Sequence, residues 1–235
     1  YQTNLRLDNY YRNGTLVRSN LATNTPVTFY DEPNLAGTSV SLTVDAIHSG
    51  TSITNLNNKI ESFVLKKGYM LTIADDEAGT GKSKNYIASE TDLTVNKLPT
   101  YLLNRISFAR VVPWNWVTKK GIAISGNSSL NEVGGSLSTL GNTWFYRWSN
   151  THESTLNAEY TPMSWGANGA DEDEDIPVYT QNYKTTHVLS FNESDHCTGQ
   201  SGQYRNLCQE DVAVGYHRNL MKTGLRIVSP SGREN

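Results

Sequence analysis

The sequence has few cysteines, no long apolar run and no marked excess of charge of one sign. Its 235 residues include 20 Lys and Arg, 23 Asp and Glu and 37% hydrophobic residues, which gives a net charge of −3 at pH 7. Nucleic acid is disfavoured as a partner, because binding a polyanion requires clustered positive charge. No stretch approaches the roughly 18 apolar residues that a membrane-spanning helix needs, so we predict no membrane span.

The first residues, YQTNLRLDNYYRNGT, lack the charged and then apolar pattern of a signal peptide. We interpret this start as the processed terminus of a secreted protein, located in the extracellular space of a cell wall or matrix. The triplets that begin at Asn13 and Asn127 are glycosylation sequons, which are meaningful in a secreted eukaryotic protein.

The two cysteines, Cys197 and Cys208, flank the polar stretch TGQSGQYRNL. In an oxidising compartment a disulfide between them would close one surface loop, and two reduced cysteines are the alternative. A zinc site is disfavoured, because His196 alone lies beside them and the spacing does not match a zinc motif.

Short segments with a two-residue periodicity dominate residues 1–112, and turn-rich segments separate them. This pattern predicts an all-β domain over residues 1–112, a sandwich with Greek-key connections. The predicted strands are VTFY (27–30), TSVSLTV (38–44), ESFVLKK (61–67), YMLTIA (69–74) and LLNRISFARV (102–111).

Two similar segments in this region, LNNKIESF and LLNRISFA, begin about 46 residues apart, at Leu56 and Leu102. Together with YDEPNLAG, which begins at Tyr30, they resemble a βγ-crystallin domain of two Greek-key motifs over about residues 24–112. In that family, a double Asn or Asp followed by Ser or Thr and then Ser supplies calcium ligands.

The crystallin resemblance implies one structural calcium site, formed by Asn57, Asn58, Glu61 and Ser107. Glu61 stands where the family has a hydroxyl residue, and the second motif has lost polar residues to Leu103 and Phe108. The alternative is that these are turn residues whose side chains bond to their own backbone. No cofactor is required in either case.

After residue 112 the sequence changes to apolar strands separated by segments long enough for helices. This pattern predicts β/α units around a parallel sheet over residues 113–235. The predicted strands are KGIAIS (120–125), TWFYRW (143–148), EYTPMSW (159–165), HVLSF (187–191) and LRIVSP (225–230), and the best helix candidate is Glu210–Met221.

Five motifs in this half resemble those of glycoside hydrolase family 128 and occur in the same order as in that family. They are TWFYRWSN, EYTPMSWG, HVLSFNESD, NLCQEDVAVGY and LRIVSPS. The resemblance spans about residues 119–231. It implies a TIM-type β/α barrel that cuts β-1,3-glucan by a retaining mechanism, present here as its N-terminal five strands. β-Glucan or a related polysaccharide is the expected partner.

Matched by position, Glu193 would be the general acid/base, and Asn192 would hold the sugar hydroxyl next to the scissile bond. Trp148 and Trp165 would be sugar platforms, although aromatic rings there could equally fill the barrel mouth. Two further residues of these motifs, Arg147 and Asp195, are predicted to bind substrate. Two positions depart from the family: Ser194 replaces a proline, and Arg147 replaces a smaller amide.

A retaining glycosidase needs a second carboxylate, about 5–5.5 Å from the first, as its nucleophile. We find no credible nucleophile for Glu193 in this chain, which leaves two main hypotheses. The protein is a glycosidase whose barrel is completed by a C-terminal fragment or another subunit, or it is a non-catalytic glucan-binding or assembly protein built on a degenerate barrel. In a third reading, the crystallin-like domain acts as a calcium-stabilised scaffold.

Overall fold

The structure is a computed structural model of the chain, and it describes residues 9–12, 15–19, 23–114, 119–124, 128–150, 158–181 and 185–233. The chain divides into two compact units, the first chiefly Leu7–Trp116 and the second chiefly Val117–Asn235. The sequence places the domain boundary slightly earlier, after Val112. No helix in the described ranges is long and apolar enough to cross a membrane.

The described part of the first unit contains β-strands and two 3₁₀ helices, Pro33–Leu35 and Gly50–Leu56. The strands are β1 (Asn9–Arg12), β2 (Thr15–Ser19), β3 (Val27–Glu32), β4 (Ala36–Leu42), β5 (Ile47–Ser49), β6 (Ser62–Leu65), β7 (Tyr69–Ala74), β8 (Ser83–Ala88), β9 (Leu93–Val95) and β10 (Phe108–Pro113). The unit is thus β-rich, as the two-residue periodicity predicts.

Strand exchange between two halves defines the topology of the first unit. One antiparallel sheet has the order β4-β3-β6-β9 and the other has the order β5-β10-β7-β8. Each sheet therefore contains three strands from one half of the unit and one strand from the other half. This is the arrangement of two interlocked Greek-key motifs, and it explains the spacing of the two similar sequence segments.

The same repeat appears in the hydrogen bonds. Asn58 N–H donates to the Ile106 carbonyl at 2.9 Å, and Asn104 N–H donates to the Ile60 carbonyl at 3.1 Å. The two bonds relate positions that lie 46 residues apart in each motif. They tie the segment before the last strand of each motif, β6 or β10, to the other half of the unit.

Both long hairpins of the first unit use one aspartate to close the turn. Asp31 accepts the Thr38 N–H at 2.6 Å, and Asp75 accepts the Lys82 N–H at 2.8 Å. The residue before each donor is a glycine with φ of +79°, and a Cβ there would lie 2.2–2.3 Å from the aspartate oxygen. Both hairpins therefore need glycine at that position, for conformation and for space.

One apolar core lies between the two sheets of the first unit. Alternate residues of β3 and β6, such as Phe29 and Phe63, are fully buried, while Thr28 and Val64 between them are partly exposed. Leu71 and Val111, from the other sheet, belong to the same cluster. The period of two thus places one face of each strand in the core.

The second unit alternates short parallel strands with helices in its described segments. Its elements are β11 (Ile122–Ala123), α1 (Leu130–Leu140), β12 (Trp144–Tyr146), β13 (Glu159–Tyr160), α2 (Ile176–Gln181), β14 (His187–Leu189), α3 (Glu210–Met221) and β15 (Arg226–Val228). The bounds of α3 are those that the sequence predicts. The structure also has a 3₁₀ helix at Asp173–Asp175 and another at Ser201–Gln203.

These strands follow one another in sequence order. β11, β12 and β13 form one parallel sheet, and β14 pairs in parallel with β15. A parallel bridge between Met163 and Leu189 joins the two groups, with bonds of 2.9 Å on either side of it. The described strands therefore form one open parallel array with β/α connections, and closure into a TIM-type barrel stays a prediction.

Helix α1 covers one face of this array. Ser129 caps its N-terminus, and the Glu132 carboxylate accepts a hydrogen bond of 2.7 Å from the Ser129 N–H. Gly141, in the left-handed conformation, ends the helix. Val133 and Leu137 bury against Phe145 of β12 and Tyr160 of β13, so the contact between the helix and the sheet is apolar.

Candidate active site

Three neighbouring strand ends meet at the predicted acid. Asn192 N–H donates to the Trp165 carbonyl at 3.2 Å, and Asn192 also forms a parallel bridge with Ser231. The segments that follow the carboxyl ends of strands β13, β14 and β15 therefore lie side by side. In β/α folds this end of the sheet carries the functional groups.

Glu193 follows Asn192 in a left-handed backbone conformation, with φ of 49°. Its N–H donates to the Ser231 Oγ at 3.3 Å, and its carboxylate lies 3.7 Å from the His196 Nδ1. The Glu193 side chain is 34% exposed, so it can be reached from solvent. A non-glycine residue with positive φ is costly unless its neighbours fix it, and such residues concentrate at functional sites.

Beside this strand end lies a cleft of about 210 Å³. Its aromatic lining comes from Trp148, Trp165 and Tyr204, with the amides of Asn150 and Asn168 between them. Trp148 is 41% exposed and Tyr204 is 51% exposed, and the ring centroids of Trp165 and Tyr204 lie 5.7 Å apart. The two tryptophans predicted to bind sugar therefore line one cavity, together with a tyrosine that the motifs did not indicate.

The other two predicted substrate-binding residues make structural contacts. Arg147, directly after β12, is buried and donates to the Ser128 carbonyl ahead of α1. Asp195 accepts the Arg233 N–H at 2.9 Å and so fastens the segment after β15. These two residues, like Asn192 and Glu193, are not among those that line the cleft. Their role in substrate binding stays a prediction.

The disulfide between Cys197 and Cys208 is confirmed, with a Cα–Cα distance of 5.1 Å. It closes the loop that follows Glu193 and that contains Tyr204. The predicted glycosylation sites at Asn13 and Asn127 lie outside the described residues.

The predicted calcium ligands are divided between two hydrogen-bonded pairs of segments. The Ser107 hydroxyl lies 2.9 Å from the Asn57 Oδ1 and 3.1 Å from the Asn58 Oδ1. Glu61 instead accepts a bond of 2.8 Å from Asn104, the counterpart of Asn58 in the second motif. The first cluster supplies neutral oxygen atoms, and the calcium site stays a prediction.

A buried carboxylate that the sequence analysis missed lies at the start of β13. Glu159 is 1% exposed and accepts bonds from the Thr185 hydroxyl at 2.7 Å and the Thr186 N–H at 3.0 Å. Burial by itself raises the pKa of Glu159. The hydrogen bond and charge of His187, whose Nδ1 is 3.5 Å away, and the bonds from Thr185 and Thr186 outweigh burial and hold that pKa below its usual value.

The geometry of the second unit agrees with its resemblance to known enzymes. Residues 121–235 match the family model described as glycosyl hydrolase catalytic core. The match begins just before β11 and includes the cleft, the disulfide and Glu193. It indicates a glycosidase and agrees with the resemblance seen in the five sequence motifs.

The first unit is similar to solved βγ-crystallin domains. One, from Flavobacterium johnsoniae, has 27% sequence identity and a TM-score of 0.34, and the match covers 40% of this chain and 99% of that chain. Another, from Clostridium beijerinckii, has 20% identity and a TM-score of 0.32, with 37% of this chain and 95% of that chain covered. Comparison with curated proteins gave no match.

Proposed function

We propose that the protein is a secreted glycoside hydrolase that acts on β-1,3-glucan by a retaining mechanism, with Glu193 as acid/base. The observation that carries the proposal is the position of Glu193. It follows the carboxyl end of β14, and its N–H donates to the Ser231 Oγ. Its neighbour Asn192 donates to the carbonyl of Trp165, which lines the aromatic cleft. The disulfide is compatible with an extracellular location.

Each neighbour of Glu193 has a chemical role in this proposal. As a carboxylic acid, Glu193 protonates the departing glycosidic oxygen, and as a carboxylate it then activates the water that releases the sugar. The Asn192 amide, which follows β14 directly before Glu193, would bond a sugar hydroxyl beside the scissile bond. Trp148 and Trp165 present flat apolar faces to the C–H groups of the pyranose rings.

The second carboxylate is expected from a further strand of a completed barrel. We compared the five residues that follow each of the strands β11 to β15. Among the described residues at these positions, Glu193 is the only acidic one. A C-terminal fragment or another subunit would then supply the nucleophile, about 5–5.5 Å from Glu193.

Release of reducing sugar from laminarin by the native protein tests the proposal, with Glu193→Gln as the deciding variant. We expect this variant to lose activity by about 10²–10⁴-fold, because the amide cannot transfer a proton. Glu210→Gln, at an exposed position in the first turn of α3, is the matched control and should keep full activity. Activity retained by Glu193→Gln would refute the role of Glu193.

The second candidate is a non-catalytic glucan-binding or assembly protein of the cell wall or matrix. The single carboxylate at the described strand ends favours this alternative. It predicts that the native protein binds laminarin oligosaccharides but releases no reducing sugar, and that Glu193→Gln leaves the affinity unchanged. Measuring affinity and hydrolysis on the same preparations separates the two candidates.

A further inference from the structure

The loop closed by the disulfide is fastened to the strand end that carries the acid. The Ser201 N–H and hydroxyl both donate to the Asn192 carbonyl, at 3.3 Å and 2.5 Å. The Asn192 amide donates in turn to the Gln200 Oε1 at 3.4 Å. The loop and the end of β14 are thus one hydrogen-bonded structure.

Close packing fixes the middle of this loop. A Cβ on Gly202 would lie 2.4 Å from the Ser194 carbonyl oxygen and 2.7 Å from the His196 carbonyl oxygen. Leu207 is fully buried, and the disulfide joins the loop ends on either side. The loop therefore has little freedom to move away from the residues that follow Glu193.

This anchoring places Tyr204 at the edge of the aromatic cleft. Its ring is half exposed, is tilted by 57° relative to Trp165 and lines the same cavity as Trp148. A tilted, exposed ring next to a second ring leaves apolar surface free for a ligand.

The residues that line the cleft are all uncharged. Aromatic rings suit the C–H faces of a β-linked glucose chain, and an amide such as that of Asn168 can both donate to and accept from its hydroxyl groups. An anionic sugar, such as a uronate, would lose its hydration in this cleft without gaining a positive partner from the lining.

We propose that Tyr204 is a carbohydrate-contacting residue, and that the disulfide-closed loop 197–208 forms one wall of a subsite for neutral β-glucan. This inference rests on the proposed function, and it adds a subsite whose affinity depends on the disulfide. Tyr204 supplies the third aromatic surface of the subsite. The bond between Cys197 and Cys208 keeps that surface in place.

Binding of a laminarin oligosaccharide to the full chain, measured by calorimetry, tests the inference. We expect Tyr204→Ala to weaken binding by about tenfold, the effect of losing one aromatic contact, and Tyr204→Phe to stay within about twofold. Tyr101→Ala, an exposed tyrosine of the first unit, is the matched control and should bind normally.

Replacing both cysteines, Cys197→Ser with Cys208→Ser, should also weaken binding by about tenfold while α3 stays folded by circular dichroism. A uronate oligosaccharide should bind at least about tenfold more weakly than the neutral one. Equal binding by Tyr204→Ala and the unaltered protein would overturn the role of Tyr204. Unchanged binding by the double cysteine variant would overturn the role of the disulfide, and equal affinity for the uronate would overturn the neutral specificity.

Failure of the proposed function has a different signature. If the unaltered protein binds neither oligosaccharide, both proposals are wrong. If the unaltered protein releases reducing sugar from laminarin and Tyr204→Ala binds the oligosaccharide equally well, the proposed function stands and the inference about the loop is overturned.

Discussion

The two units of this protein bury different kinds of side chain. The first unit encloses an apolar cluster, and Arg110 is the one charged residue buried in its described part. Burial lowers the pKa of Arg110 to about 10, and Asp45 partly offsets this effect. The second unit buries Arg147 and Glu159 and several hydroxyl groups near its strand ends.

This difference follows from the two kinds of sheet. Antiparallel sheets in a sandwich satisfy most of their backbone groups by strand pairing, and the first unit adds buried hydroxyl groups such as that of Ser62. The parallel array exposes strand ends, whose backbone groups are capped by side chains such as Ser231 and Ser201. The polar side chains that could bind a ligand or take part in a reaction are therefore concentrated at the strand ends of the second unit.

The largest effect is expected in the core of the first unit. Phe63 is fully buried, and its ring centroid lies 5.8 Å from that of Phe29 and 4.9 Å from that of Tyr86. Phe63→Ala should lower the free energy of unfolding of this unit by about 3–5 kcal/mol, since it leaves a cavity. Hydrogen exchange of first-unit peptides in the full chain measures it. Ile47→Ala, at a position 42% exposed, should change it by less than about 0.5 kcal/mol.

The next largest effect is expected at acid pH, where the stabilities of the two units should differ. The lowered pKa of folded Glu159 means that the unfolded state binds more protons at acid pH. The second unit should keep this stability above pH about 4.3 and lose it as the pH falls through the folded pKa. No carboxylate is buried in the described part of the first unit. Partial burial raises the pKa of Asp92 there, but the Lys67 N–H and Lys66 outweigh burial and lower that pKa. Because the Asp92 side chain is 47% exposed, this contribution is small, and the stability of the first unit should depend less on pH in this range.

The variant Glu159→Gln identifies the group responsible. It should lower the stability of the second unit at pH 7 by about 1–3 kcal/mol, because the bonds from Thr185 and Thr186 lose a charged acceptor. The variant should also remove the loss of stability of the second unit at acid pH. Denaturant unfolding followed by hydrogen exchange between pH 7 and pH 3 measures both effects. The same acid dependence in Glu159→Gln would show that another group is responsible.

The smallest expected effect concerns the cap of α1. Ser129→Ala removes the hydroxyl that accepts the Glu132 N–H, and it should lower the stability of the helix by about 1 kcal/mol. Ser138→Ala, at an exposed position inside the same helix, should be neutral or slightly stabilising. Exchange protection of α1 peptides compares the two variants, and equal protection would argue against the cap.

Much of the fold could be predicted from the sequence. The predicted strands VTFY and YMLTIA form β3 and β7, and the bounds of Glu210–Met221 are predicted correctly. Helix α1 was missed because Gly134 and Gly135 lower its helix propensity, although the spacing of Ser129 and Glu132 matches a capping box.

Part of one predicted strand is a turn in the structure. The prediction over residues 102–111 includes Asn104, which has φ of 57°, and the strand begins only at Phe108. Strands β8 and β9 were not predicted, because most of their residues are exposed or partly exposed and their apolar signal is weak. Alternation identifies a strand only where one face is buried.

The sequence by itself determined the β-rich first half, the two-motif repeat, helix α3 and the position of Glu193 after an apolar strand, and the structure decided between a disulfide and two reduced cysteines. The tertiary structure decided which side chains meet: Ser231 with Glu193, Tyr204 with Trp165, and Thr185 with Glu159. These partners are 26 to 39 residues apart. Local propensity acts over a few residues, whereas sheet register and loop anchoring bring such distant residues together.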